Sequence, residues 1–239
     1  MGQQMKSFKW QIVQYGAFCL IAIICSLLLS ALPVEYPHPS QEESLRVTSL
    51  LPILALGGLG VWLFSMTSIG RRQVATVKFG AYIQAMVWGL GFGLVAVGLD
   101  YTLEISKTLA SVLDIKSIHL SAPYSILAYL AAAVVIETMF RLLPLGVVTF
   151  AAEKFGAKSR VLIFVFVVFA MLTAVVEPIS QAGVFASRPG AMLAIAAFIY
   201  LYGLVASWQM WKTGPSACIL MRIAFYLVWH VTLGPNLAA

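Results

Sequence analysis

Apolar residues fill the chain in seven long blocks, at about 13–34, 47–67, 79–99, 123–150, 161–176, 190–211 and 217–235, each bounded by a short polar connection. Most of these blocks approach the roughly 20 residues that a helix needs to cross a hydrocarbon core. Lipid offers a backbone no hydrogen-bond partners, so blocks of this kind satisfy their own amides as helices. The pattern predicts an all-α, polytopic membrane helix bundle of about seven spans. Between the third and fourth blocks, residues 100–121 carry Leu103, Leu109 and Leu113 among charges, a spacing that predicts a short helix lying at the interface. Small residues recur where helices would approach closely: Gly57, Gly58 and Gly60 in the second block, and Ala85, Gly89 and Gly93 four apart in the third. No linker or internal repeat divides the chain. It reads as one transmembrane domain over 1–239, with N-terminal helices and an outer segment in 13–121 and a second group of helices in 122–239.

The charges orient this scheme. Lys6 and Lys9, then Arg71, Arg72 and Lys78, then Lys154, Lys158 and Arg160, and finally Lys212 occupy every second connection. That alternation places those segments, and the N-terminus, on the cytoplasmic side and the C-terminus outside. The compact loops suit a bacterial cytoplasmic (inner) membrane. With 61% hydrophobic and 10% charged residues, the composition excludes an ordinary soluble domain. The net charge of +6 sits in the loops, so it indicates orientation and no nucleic-acid partner. The first block is longer than the apolar region of a signal peptide, and it reads as a retained span. Cys19, Cys25 and Cys218 lie within apolar blocks without metal-type spacing, so they read as packing residues. No metal, cofactor or disulfide framework is expected.

Chemistry is carried by the few ionisable residues at membrane depth, because such groups are costly in hydrocarbon and mark functional sites by default. Glu137 and Arg141, four residues apart, share one helical face and are close enough to pair. Arg222 lies in the last span, with two dispositions open to it: snorkelling to the headgroups or turning inward to Glu137. The inward choice gives a structural charged clasp of Glu137, Arg141 and Arg222 joining the fourth and seventh spans. His230 beside Trp229 reads as an interfacial residue, and Glu177 before Pro178 as a helix-end residue in an outer loop. Tyr200, Tyr202, Trp208 and Trp211 read as packing and an interfacial aromatic belt.

The order of these features resembles the CPBP family, the CAAX proteases and bacteriocin-processing enzymes also called Abi. The likeness spans about residues 125–227. It rests on Glu137-x-x-x-Arg141, the turn Glu153-Lys154-Phe155-Gly156, Leu201-Tyr202-Gly203-Leu204 leading to Lys212-Thr213-Gly214, and Ala217-Cys218-Ile219-Leu220-Met221. The resemblance implies an intramembrane protease core in the C-terminal half, with motifs Glu-Glu-x-x-x-Arg, Phe-x-x-x-His and His-x-x-x-Asn/Asp. Here Ile136 stands at the first motif's leading Glu, Thr173 at the second motif's His after Phe169, and Arg222 and Tyr226 at the His and Asn/Asp of the third. His230 and Asn236 follow too late for that spacing. Glu137 and Arg141 remain as motif remnants of the catalytic set. An isoleucine exchanges no proton, a threonine is a poor base or ligand, and an arginine keeps its proton and repels a divalent cation. The resemblance therefore implies a pseudoenzyme: a non-catalytic binding or scaffold subunit of a membrane assembly, in contact with membrane lipid and another membrane protein. The alternative is an active endopeptidase for prenylated or other membrane-embedded peptides, with an altered site built from Glu137, His230 and Glu177.

Overall fold

The computed structural model describes residues 2–76, 79–182 and 188–235; Lys78 and Asn236 lie outside them, as does the side chain of Lys6. It is 86% helical with no strands among the described residues. The helices are α1 (Gly2–Ala31), α2 (Pro39–Leu45), α3 (Val47–Ser65), α4 (Ser68–Thr76), α5 (Phe79–Leu103), α6 (Ile105–Val112), α7 (Tyr124–Glu137), α8 (Leu143–Lys154), α9 (Ser159–Ala182), α10 (Pro189–Lys212) and α11 (Pro215–Tyr226). Seven of the described helical segments are long and apolar enough to span a membrane: those built on α1, α3, α5, α7 with α8, α9, α10 and α11. The chain is an integral membrane protein.

The exterior explains why these helices need lipid. Leu94, Phe164 and Leu193 are each more than half exposed, an outward apolar surface that water would penalise and acyl chains match. Helices in such a medium associate through close packing rather than through hydrophobic burial. Gly60 and Gly146 show how: a Cβ on Gly60 would lie 2.3 Å from the Leu142 carbonyl oxygen, and one on Gly146 would lie 2.2 Å from that of Gly60. The backbones of α3 and α8 touch there. Gly89 does the same for α5 and α11, its missing Cβ facing the Met221 carbonyl oxygen at 2.1 Å. The glycine patterns of both blocks thus mark helix contacts. Tyr15 pins α1 to this group by donating to the Leu54 carbonyl at 3.0 Å and meeting Thr138 Oγ1 at 3.2 Å.

Two wide helical turns interrupt the α-geometry. Thr138–Leu142 forms a π-helical turn between α7 and α8, and Leu227–Leu233 forms another after α11. The first has a local cause. Pro144 has no N–H for the carbonyl four residues back, and its ring crowds that position; the ladder widens instead, with the Leu143 N–H reaching Thr138 O.

Two boundaries differ from the sequence reading. α9 continues past 176 to Ala182, so Glu177 and Pro178 stand inside a helix and not in an outer loop. α5 continues past 99 to Leu103, which buries Asp100 within it. The predicted interfacial helix is present as α6, separated from α5 by Glu104 in the left-handed conformation at φ 52.

Candidate functional site

A ring of four charges closes the middle of the bundle. Glu137 comes from the end of α7, Arg141 from the wide turn that follows, Glu177 from α9 and Arg222 from α11. Arg141 donates from Nη1 to Glu137 Oε1 at 3.1 Å and from Nη2 to Glu177 Oε2 at 2.5 Å. Arg222 donates from Nε to Glu137 Oε1 at 2.7 Å and from Nη2 to Glu177 Oε1 at 2.8 Å. Each guanidinium bridges both carboxylates, and two positive charges balance two negative ones. All four side chains are buried. Charge at such depth persists only when it is paired and hydrogen-bonded, and the planar fork of arginine suits a double bridge.

The surroundings are shaped to the ring. The Arg222 guanidinium lies 4.2 Å from the Tyr202 ring centroid and 5.7 Å from that of Tyr226; Arg141 lies 5.6 Å from Tyr202. A Cβ on Gly203 would stand 2.9 Å from Arg141 Nη2, so the glycine clears the space that the guanidinium occupies. The Tyr202 hydroxyl and Glu137 Oε2 are buried and make no hydrogen bond among the described residues.

The sequence-derived candidates divide accordingly. Glu137, Arg141 and Arg222 come together, Tyr226 stacks beside them, and Arg222 turns inward. Ile136 is half-buried on α7 without polar function. Thr173 spends its hydroxyl on the Ala170 carbonyl of its own helix at 3.2 Å. Glu177 was misplaced: it joins the ring from within α9 and does not end a helix in an outer loop. Its signal was charge balance: the fourth and seventh spans set two arginines, Arg141 and Arg222, against one acid, Glu137, and Glu177 supplies the second.

A second polar cluster lies toward the end of the bundle that carries α2 and α6. Asp100 Oδ1 accepts from the Ser106 amide at 2.7 Å, and Oδ2 accepts from Ser106 Oγ at 2.5 Å and from Trp229 Nε1 at 3.0 Å. Ser106 Oγ meets His119 Nε2 at 2.9 Å, and His119 Nδ1 meets His230 Nδ1 at 3.1 Å. Donor counting orders the protons along this chain. The serine has one hydroxyl proton and gives it to Asp100, so His119 donates from Nε2 to Ser106 Oγ and accepts at Nδ1 from His230, whose Nε2 becomes an acceptor. This arrangement needs a neutral His119. Burial supplies that condition by pushing its imidazole down to about 4, against the upward pull of Asp100.

His230 is therefore no solitary interfacial residue. Its ring stacks on Tyr129 at 4.2 Å and 11°, within a cluster that includes Tyr226 and Trp229. His119, Ser106 and Asp100 were missed altogether, because residues from positions 100 to 230 meet only after folding.

Between the two clusters lies a cavity of about 360 Å³ bounded by α5, α6, α10 and α11, with Glu177, Arg222, Tyr202, Tyr226 and His230 in its wall. A second cavity, of about 350 Å³, sits at the opposite, basic end beside Arg72, Lys212, Trp208 and Trp211. No group of three or more His, Cys, Asp or Glu side chains is placed to hold a metal ion among the described residues. No family model matches the chain, and no curated protein or solved structure is significantly similar to it.

Proposed function

We propose that this chain is a non-catalytic membrane protein of the CPBP-like kind, working through binding as a scaffold or recognition subunit of a membrane protein assembly. In this reading the membrane is the bacterial cytoplasmic one and the N-terminus faces the cytoplasm, as the alternation of basic connections indicates. The observation that carries the proposal is the closed ring. A water-activating centre needs a base free to take a proton, or a metal held by neutral imidazoles and carboxylates. Here both carboxylates are engaged by two guanidinium groups that keep their protons. The positions where the resembled family carries its leading acid and its histidines hold Ile136, Thr173 and Arg222.

The altered-site peptidase reading gains one element, since Glu177 stands beside Glu137 and not at the outer boundary. Its other element, His230, belongs to the separate Asp100 chain. The test is a cleavage assay with the full chain in liposomes, offered prenylated and unmodified membrane-embedded peptides. No cleavage above protein-free liposomes is the expected result; turnover abolished by Glu137→Gln, with the fold retained, would overturn the proposal. A partner is sought separately, by cross-linking in the native membrane before extraction.

A further inference from the structure

The cavity between α5, α6, α10 and α11 meets the charged ring only at Glu177 and Arg222. Most of its wall is apolar, including Leu99, Ile105, Leu109, Ile195, Phe198 and Phe225. At about 360 Å³ it stands near the lower end of the roughly 300–1,000 Å³ typical of small-molecule sites. That volume suits a single hydrocarbon chain better than the pair of chains on a phospholipid.

Three observations fix the polar part of an occupant. First, Arg222 and Glu177 reach the wall already satisfied within a ring of zero net charge, so an ionic headgroup would lose its hydration without meeting an opposite charge. Second, Tyr202 closes the wall with its ring, 4.2 Å from the Arg222 guanidinium, while its hydroxyl is buried away from the cavity, so this wall presents an uncharged aromatic surface. Third, His230 is also in the wall, and the proton order set by Asp100 and Ser106 makes its Nε2 an acceptor. The wall thus offers one imidazole acceptor in an uncharged, largely apolar lining, and the O–H of an alcohol is the donor that meets it.

We propose that this cavity binds an uncharged single-chain lipid bearing a hydroxylated headgroup, of the monoacylglycerol class, with its chain among the apolar side chains of α5, α6 and α10. The proposal stands on the cavity wall and holds whether or not the charged ring performs chemistry.

The experiment uses the full chain in phosphatidylcholine nanodiscs with three photoactivatable probes: a diazirine monoacylglycerol, the matching diazirine fatty acid and the matching diazirine alkane. Cross-linked positions are mapped by mass spectrometry. The monoacylglycerol is expected to label the cavity wall around Phe198 and Phe225. Filling the space with Ile199→Trp, or with Ile195→Phe should the first variant fail to fold, is expected to lower that labelling roughly tenfold. His230→Phe is expected to lower monoacylglycerol labelling by about threefold while leaving the alkane unchanged.

Labelling spread over outward positions such as Leu94, Phe164 and Leu193 and indifferent to the filling variants would overturn the proposal. So would preference for the fatty acid over the monoacylglycerol. Peptide cleavage measured in the same nanodiscs separates the two readings: turnover with cavity labelling removes the non-catalytic assignment alone, and absent labelling without turnover removes the lipid alone.

Discussion

The bundle contains two buried polar clusters built on opposite plans. The ring of Glu137, Arg141, Glu177 and Arg222 uses four formal charges in mutual balance, each arginine reaching both acids. The chain of Asp100, Ser106, His119, His230 and Trp229 uses one carboxylate and distributes its demand over neutral donors. The ring joins α7, the turn after it, α9 and α11 at membrane depth, where a lone charge is least tolerable. The second chain joins α5, α6, the segment leading to α7 and the turn after α11, at the ends of these spans. The difference teaches where each kind of polar contact is stable: full charge balance in hydrocarbon, a single hydrogen-bonded anion toward the interface.

That contrast predicts unequal responses. The largest belongs to the ring. Arg222→Met leaves Glu137 and Glu177 sharing one guanidinium, and uncompensated buried charge of this kind is worth about 3–5 kcal/mol; a large drop in folded yield and in the melting temperature in detergent is expected. Glu137→Gln acts in the same direction by leaving an excess positive charge. Unchanged melting in both variants would remove the ring's structural role.

Next comes pH. His119 sits at about 4 in the folded chain against 6.5 when unfolded. An imidazole held neutral in the native state contributes its full stability above pH 6.5. That contribution is lost as pH falls from 6.5 towards 4, because the unfolded chain then binds the proton first. The loss is on the order of 3 kcal/mol at most, read as a falling melting temperature over that window. His119→Asn should flatten the curve there; an equal slope in that variant would place the titration elsewhere.

Asp100→Asn is gentler still. The amide oxygen keeps one acceptor for Trp229 or Ser106 and removes the anion, so a loss of about 1–2 kcal/mol is expected by thermal unfolding. A loss as large as that of Arg222→Met would erase the distinction between the clusters. The smallest effect is assigned to Glu153, which pairs with Arg71 at 3.0 Å in a partly exposed setting. Glu153→Gln should cost no more than about 1 kcal/mol, which sets the scale for a pair that water already screens.

Legibility in the sequence followed distance along the chain. Glu137 and Arg141 were readable because four residues on a helix bring side chains together whatever the tertiary fold. The α3 and α5 glycines were readable as contact surfaces because only close backbone approach gives a bare position that value in a membrane. Glu177 was misplaced for a local reason: Pro178 beside a charge reads as a helix end, yet a proline is tolerated inside a spanning helix. The wide turns were hidden behind an assumed uniform period of 3.6 residues, although Pro144 held the cause of the first one.

The sequence by itself determined the medium and the secondary structure. Apolar blocks of spanning length have one stable backbone form in lipid, and Gly60, Gly89 and Gly146 mark where helices touch. Only the tertiary structure decided which charges meet. Arg222 had both snorkelling and inward pairing open to it until α9 delivered Glu177 to the same depth, and a second acid is what makes the inward arrangement neutral. His119 and His230 carried no local signal, since their partners lie at positions 100, 106 and 129. Residue type fixes what a side chain is able to pair with; the crossing of helices fixes what it finds.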